Sequence, residues 1–158
     1  MGKRMWVLFL LAAFLLTACG SEERAETRDV KEAFVEMFFT SDYQNRYSSM
    51  SQEADWAEEY YQDFSEVVTQ ECLEQMIANR EPFKYDKLAE ENGEKITVES
   101  VSFSVYDQEN KVYTFEAVLK STGGASKTCQ VSGQITLQEE EGKEKVSHLY
   151  IGSYEETE

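Results

Sequence analysis

The chain has 158 residues and carries 31 acidic against 15 basic side chains, a formal charge of −16 at pH 7. This acidity argues against nucleic acid as a partner, because phosphates select basic surfaces. It also argues against direct adsorption to anionic lipid headgroups. The acids are spread along the sequence, so solubility is the simplest interpretation. Attraction of a cationic partner, or cations held at the surface, is the alternative.

The first eighteen residues have the pattern of a secretory signal peptide. Lys3 and Arg4 precede an unbroken apolar run, Met5 to Leu16, and small residues follow it. The run is shorter than the about 20 apolar residues that span a bilayer comfortably. A basic start, a short apolar segment and a small-residue exit are typical of exported proteins. We therefore predict export, with residues 1–18 removed.

The segment Leu16-Thr17-Ala18-Cys19 resembles the lipobox of bacterial lipoproteins. The resemblance implies cleavage between Ala18 and Cys19, with acyl chains such as palmitate on Cys19 as the mature first residue. Two chains hold a protein stably at a membrane, whereas one gives only marginal binding. The prediction is a bacterial protein, lipid-anchored at the cell membrane and facing the extracytoplasmic side. The alternatives are an ordinary signal peptide with a chance cysteine, or an uncleaved anchor.

The remaining chain divides into three parts. Residues 19–28 are predicted to be the lipidated cysteine and a polar tether, residues 29–154 a single domain, and residues 155–158 an acidic tail. Residues 1–18 contain two bases and no acid, so the mature chain has a formal charge of 13 − 31 = −18. A domain of this length buries a sizeable core without the help of disulfides or metal ions.

The domain begins with a predicted amphipathic helix. Asp29 and Glu32 have the spacing of a capping box. Apolar residues then recur at helical spacing as far as Thr40, namely Val30, Ala33, Phe34, Met37 and Phe38. This stripe is typical of a core-facing helix, and a ligand-lining role is the alternative. Residues 41–51 are predicted to form a loop or a short helical turn.

Two further helical segments are predicted before Pro82. Residues 52–67 carry aromatic side chains at intervals of four, Trp56, Tyr60 and Phe64. Thr69 is placed to cap the next helix. The apolar positions of that helix are Cys72, Leu73, Met76 and Ile77. Asn79 offers a C-terminal stop, and Pro82 ends the pattern.

After Gly93 the apolar residues alternate, which indicates strands. Four are predicted, at residues 96–106, 112–120, 128–138 and 146–154. In the first, the alternation changes phase between Val98 and Val101, which predicts a bulge near Glu99–Ser100. Gly133 predicts a second bend, in the third strand. Short turn segments between the strands imply an antiparallel meander, and helices before strands imply an α+β fold.

This order of elements resembles the NTF2-like, cystatin-related cone fold. The resemblance covers about Asp29 to Tyr154 and includes the leading Phe34/Phe38 helix, the segment 69–76 (Thr-Gln-Glu-Cys-Leu-Glu-Gln-Met) and the long bent strands. It implies N-terminal helices packed on a curved four-stranded antiparallel sheet, with a pocket at the open end. The family includes isomerases, dehydratases, small-ligand binders and assembly domains, so the fold does not give the function.

No residue pattern identifies a catalytic centre or a metal site. His148 is the sole histidine, and it alternates with Val146 and Tyr150 on the last predicted strand without a nucleophile elbow or a catalytic-cysteine signature. One histidine without paired cysteines does not make a zinc site. Gly123-Gly124 lacks the lysine and helix of a phosphate loop. We therefore assign no catalytic residue, no metal and no cofactor, and a non-enzymatic role is favoured.

The cysteines allow two arrangements. With Cys19 lipidated, Cys72 and Cys129 remain, the first on a predicted helix and the second on the apolar face of a predicted strand. Outside the cytosol the two are free to form a disulfide. The alternative is two buried thiols that act as small apolar side chains.

Three functions are compatible with the sequence. The favoured one is a non-enzymatic binding or assembly module of the cell envelope, held at the membrane through Cys19 and joined to a protein partner. The second is a carrier of a small apolar ligand in a cone-shaped pocket. The third is an isomerase-like or hydrolase-like enzyme, which needs a buried carboxylate with a raised pKa facing a tyrosine or a second acid. A cone filled by side chains such as Phe34, Phe38 and Phe103 would count against the second and third.

Overall fold

The computed structural model describes residues 28–42, 46, 56–123 and 126–157. The predicted signal peptide, the lipobox with Ala18 and Cys19, and the tether before Arg28 lie outside the described residues. None of the helices described is long and apolar enough to cross a membrane.

Four helices precede the sheet. They are α1 (Val30–Phe39), α2 (Trp56–Tyr61), α3 (Gln70–Asn79) and α4 (Phe83–Glu91), with a 3-10 turn at Asp63–Glu66. Both predicted N-caps are confirmed, because the Thr69 hydroxyl accepts from the Cys72 amide and the Asp29 carboxylate accepts from a backbone amide of α1. The amide bonded to Asp29 is that of Lys31, and not that of Glu32 as in the predicted capping box. The segment predicted at 52–67 is not one helix: α2 ends at Tyr61, and residues 52–55 lie outside the described part.

The helix α4 was not predicted. The sequence pattern predicts that the helical segment ends at Pro82, yet Pro82 stands immediately before the first residue of α4. Proline is well tolerated at the start of a helix, where its missing N–H has no intrahelical acceptor. Within α4, the buried residues Asp86 and Ala89 are three positions apart and so share one face.

The sheet has four antiparallel strands in chain order, β1 (Lys95–Asp107), β2 (Val112–Thr122), β3 (Lys127–Glu140) and β4 (Lys143–Thr157). Helices followed by an open antiparallel meander confirm the predicted α+β architecture. Strand β4 continues to Thr157, so residues 155–157 belong to the sheet and not to an acidic tail. Membership of the NTF2-like family stays a prediction.

The predicted bulge in β1 is confirmed. Val98 pairs with Leu119 and Ser100 pairs with Val118, which leaves Glu99 as the extra residue. A bulge bends its strand and increases the local twist. Ile96 and Val98 before the bulge, and Val101 and Phe103 after it, therefore all pack against the same core.

Gly133 lies at a second irregularity, but the extra residue is in β4. Ser132 pairs with Ser153 and Gly133 with Ile151, so Gly152 bulges. A Cβ at position 133 would collide with the carbonyl oxygen of Tyr150 and lie 2.7 Å from the Phe115 ring. Gly133 therefore permits a close approach of β4 and an aromatic side chain.

One face of the sheet, here called the inner face, is covered by the helices. Helix α1 packs on β1 and β4, α3 packs on β4, and α4 packs on β1. The buried core between the layers contains Phe34, Val35, Phe38, Tyr60, Tyr61, Phe64, Val68, Cys72, Met76, Phe115, Ala117, Leu119, Cys129, Val131, Ile135, Leu137 and Val146. The helices leave one end of the inner face uncovered, where β1 begins and β4 ends.

Candidate ligand-binding site

A pocket of about 410 Å³ opens at the uncovered end of the inner face. It lies between the last turn of α1, one side of α4 and the sheet. Pockets that take small molecules have volumes of about 300–1,000 Å³. This space, here called the main pocket, is therefore large enough for a small ligand.

The walls of the main pocket are largely apolar. The apolar and aromatic side chains that line it are Phe38, Phe39, Tyr85, Leu88, Ala89, Ile96, Leu119, Ile151 and Tyr154. Three of them are half exposed: Tyr85 at 50%, Leu88 at 54% and Tyr154 at 58%. Large apolar side chains that are exposed to solvent around a pocket are a feature of binding sites.

Asp86 is the buried acid in the wall of the main pocket, with a side chain only 2% exposed. The hydroxyl of Tyr60 donates to its Oδ2 at 2.9 Å, and the amide of Asp42 donates to its Oδ1 at 2.9 Å. The guanidinium of Arg46 adds a longer contact to Oδ2, at 3.5 Å. Donors from α2 and from the segment that follows α1 therefore meet at one carboxylate.

Arg46 is held from several sides. Its second nitrogen donates to the carbonyl of Met37 at 2.9 Å, and its guanidinium lies 5.7 Å from the Tyr60 ring and 5.3 Å from the Phe64 ring. A cation over aromatic faces is attracted by the ring quadrupoles. The Arg46–Asp86–Tyr60 cluster thus connects α1, α2 and α4 beside the pocket.

The hydrogen bonds of this cluster hold the helices in position. Burial, together with the charge of Asp86, raises the pKa of Tyr60, so the phenol stays protonated and acts as a donor. Both oxygens of Asp86 already accept hydrogen bonds from the protein. A carboxylate used in this way positions helices, and its geometry does not offer a free base to a ligand.

A smaller space of about 70 Å³, here called the side hollow, adjoins the main pocket. The two share Glu94, Ile96, Leu119 and Tyr154 as lining residues. The side hollow adds Ser121, Cys129, and the ion pair of Lys127 with Glu156 at 3.3 Å. Main pocket and side hollow therefore form one continuous surface on either side of Glu94.

Tyr154 lies where the two spaces meet. Burial raises its pKa to about 12, with further contributions from a hydrogen bond with Cys129 and from the nearby Glu156 and Glu94 carboxylates. Burial also raises the pKa of the Cys129 thiol. Both groups are therefore neutral at pH 7, and they supply a polar spot in a mostly apolar site.

The structure separates the residues that the sequence singled out. Phe34 and Phe38 are core residues, as predicted, and Phe38 also reaches the wall of the main pocket. His148 pairs with Thr136 and is exposed. It does not line the main pocket or the side hollow.

Cys72 and Cys129 are both free, buried thiols. Cys129 lies near the start of β3. Cys72 lies one helical turn after Thr69, whose amide donates to the carbonyl of Val146 near the other end of β3. Val146 pairs with Leu137, which is eight residues after Cys129 along β3. At about 3.3 Å per residue, this separation is about 26 Å. A disulfide needs Cα atoms within about 7 Å. The structure therefore favours the alternative of two separate buried thiols.

The residues that define the pocket were missed in the sequence because α4 was missed. Tyr85, Leu88 and Ala89 follow each other at helical spacing, which was the available signal. Asp86 stands among them, and a buried acid in such a stripe is often functional or paired. Glu94 and Tyr154 carry no local signal, because their proximity depends on the fold.

No protein-family model matches the chain, and no curated protein matches it in sequence. Within the described ranges, no group of three or more histidine, cysteine or acidic side chains is arranged to hold a metal ion.

Proposed function

We propose that the chain is a membrane-anchored extracytoplasmic lipoprotein, and that its α+β domain is a non-enzymatic module that binds an apolar ligand in the main pocket. The observation that carries the binding role is the pocket itself, about 410 Å³ with mainly apolar walls and half-exposed Tyr85, Leu88 and Tyr154 around it. Burial of apolar surface is the main source of affinity in such sites.

The lipid anchor rests on the signal-peptide pattern and the lipobox that ends in Cys19. The tether would join the domain at Asp29, where α1 begins, and the main pocket lies at the other end of α1. Near the start of α1, Lys31 lies 4.5 Å from the ring of Tyr113, which is in the half of the sheet opposite to the main pocket. An anchor at this end would leave the mouth of the pocket unobstructed.

The anchor is tested by replacing the predicted acylation site. Cys19→Ala should abolish labelling with radioactive palmitate in a bacterial host and prevent processing before residue 19. Cys129→Ala is the matched control, and it should be labelled and retained in the membrane fraction like the unchanged protein. Equal labelling of Cys19→Ala and the unchanged protein would refute the lipoprotein assignment.

The ligand role is tested with a neutral probe, 4-phenylbutan-1-ol, and two matched tyrosine variants. Tyr154 and Tyr150 lie on the same strand and are both 58% exposed, but only Tyr154 lines the main pocket. Calorimetry on the full chain in phosphatidylcholine nanodiscs, with empty nanodiscs as blank, should show binding that Tyr154→Ala weakens about tenfold, since an aromatic contact of about 1.4 kcal/mol is lost. Tyr150→Ala should change nothing. Equal effects of both variants would exclude the pocket as the site.

Assembly with a protein partner is the second candidate. Val105 and Tyr106 are 60% and 68% exposed at the end of β1 remote from the pocket, and they supply apolar surface there. Crosslinking from position 106 in cells should capture one defined partner if this surface mediates assembly. A substitution of Tyr106 that leaves cell-envelope complexes unchanged would remove this candidate.

A further inference from the structure

The charged residues that line the main pocket, among those described, are both acidic. Among the described residues that line it, the charged ones are Asp86 and Glu94, and no lysine or arginine lines it. Asp86 is compensated by Arg46 and by hydrogen bonds from the protein. Glu94 has no cationic partner within the described part of the chain. One uncompensated negative charge therefore faces the pocket.

Glu94 also stands beside groups that suit a cation. Half-exposed Tyr154 lines both spaces with it, whereas the ring of Tyr85 already has the Lys84 ammonium group 4.9 Å from its centre. Aromatic faces attract ammonium groups. In the side hollow, Ser121 Oγ is buried and has no hydrogen-bond partner in the described structure. A hydroxyl oxygen without a donor is costly to bury, and an ammonium group supplies three donors.

The only cation lining the side hollow, among the residues described there, is Lys127, and it pairs with Glu156. A carboxylate or phosphate ligand would therefore find no unpaired cation there, and Glu94 would repel it. An uncharged ligand would leave Glu94 uncompensated. These charges therefore favour apolar ligands whose polar group is positively charged over those whose polar group is neutral or negative.

We propose that the ligand of the main pocket is a small apolar molecule with a single protonated amine, whose body lies between α4 and the sheet and whose ammonium group binds between Glu94, Tyr154 and Ser121. This inference rests on the proposed ligand-binding function and adds the chemical class of the ligand. The ammonium group donates to the Glu94 carboxylate and to Ser121 Oγ. The aromatic ring of Tyr154 covers it.

The test uses three probes with one body and different heads: 4-phenylbutylammonium, 4-phenylbutan-1-ol and 4-phenylbutyrate. Calorimetry at pH 7 and low salt, on the full chain in phosphatidylcholine nanodiscs with an empty-nanodisc blank, should give binding at least tenfold tighter for the ammonium than for the alcohol. The carboxylate should bind weakest. Raising the salt concentration should reduce the preference, because the site is partly exposed.

The decisive variant is Glu94→Gln, which should bring the ammonium and the alcohol to within about twofold of each other. Glu116→Gln is the matched control, because Glu116 is exposed on β2 and does not line the main pocket or the side hollow. It should preserve the preference. Ser121→Ala should weaken the ammonium alone, about threefold.

Each outcome has a defined meaning. Equal binding of the three probes, or tightest binding of the carboxylate, would overturn the ammonium proposal and leave the apolar-ligand function standing. Loss of the preference in Glu116→Gln as well would show that the overall negative charge is responsible and would also overturn it. Absence of binding by every probe would refute both proposals.

Discussion

The hydroxyl of Tyr60 donates a 2.9 Å hydrogen bond to Oδ2 of Asp86, and the two residues are 1% and 4% exposed. The bond joins α2 to α4 across 26 residues of sequence. It fixes the first turn of α4, and α4 forms one wall of the main pocket. The position of that wall therefore depends on a buried polar contact as well as on apolar packing.

Tyr60→Phe removes only the hydroxyl. A hydrogen bond to a charged group contributes about 1.5–3 kcal/mol, so the free energy of unfolding should fall by about that amount. Urea unfolding followed by circular dichroism measures the change. Tyr106→Phe is the control, and it should lie within about 0.5 kcal/mol of the unchanged protein because Tyr106 is exposed. Equal stability of the two variants would contradict a structural role for the Tyr60 hydroxyl.

Asp86→Asn should be more damaging than Tyr60→Phe. It leaves the guanidinium of Arg46, 11% exposed, without its carboxylate, and loss of one partner of a buried ion pair reduces stability by about 3–5 kcal/mol. Urea unfolding should also show that Asp86→Asn with Arg46→Met is more stable than Asp86→Asn alone, because the unpaired charge is removed. Additive losses in the double variant would show that the two side chains act independently.

The sequence predicts the sheet better than the pocket, for a physical reason. Period-two alternation and the phase change at Val98 and Val101 are local signals, and they specify the strands and the bulge at Glu99. The start of α1 and the start of α3 are equally local, because Asp29 and Thr69 cap the helices that follow them. These features need no knowledge of the remainder of the chain.

The candidate site depends on contacts between distant segments. Asp86 meets Tyr60 across 26 residues and the Asp42 amide across 44. Glu94 and Tyr154 meet only because β1 begins where β4 ends, at the two edges of one sheet. The misinterpretation of Pro82 added a local error, since proline both ends and begins helices. No spacing rule in the sequence brings these residues together.

Alkaline pH should destabilise the domain through Cys72. Burial raises the pKa of this thiol to about 11, above its ordinary value of 9.0. The folded state therefore keeps the proton that the unfolded state releases first. The associated stability is complete below pH 9 and is lost as the pH rises to about 11, a change of about 2–3 kcal/mol. Burial raises the pKa of Tyr61 as well, which acts in the same direction above pH 10.

Urea unfolding between pH 8 and pH 11 tests this dependence. Cys72→Ala should flatten the fall in stability between pH 9 and 11, although it lowers stability at pH 8 through lost packing. The comparison variant Cys129→Ala removes a thiol whose pKa burial also raises. Its curve should stay closer to that of the unchanged protein, since Cys129 is beside the open side hollow. If stability falls with pH equally in Cys72→Ala and in the unchanged protein, Cys72 is not the cause of the alkaline destabilisation.

Both domain cysteines should react as thiols. Alkylation with iodoacetamide in denaturant should modify Cys72 and Cys129 without a reductant, because Cys129 is near the start of β3 and Cys72, on α3, lies beside the other end of that strand. Mass spectrometry of the resulting peptides should give the same result after prior reduction. In the native protein Cys72 should react far more slowly, since it is buried and its pKa is raised to about 11. Modification that requires reduction would instead establish the disulfide.

Gly133→Ala should destabilise the sheet at the junction of β3, β4 and Phe115. The added Cβ would collide with the Tyr150 carbonyl and lie 2.7 Å from Phe115, and both neighbours are held by the sheet and the core. Forced displacement of packed groups reduces stability by about 1–3 kcal/mol. Gly152→Ala is the matched control, because a Cβ there meets nothing closer than 3.4 Å. Urea unfolding should show a clear loss for position 133 and a much smaller one for position 152. The reverse order would mean that the bulge at Gly152, and not the close approach at Gly133, limits the packing of β4.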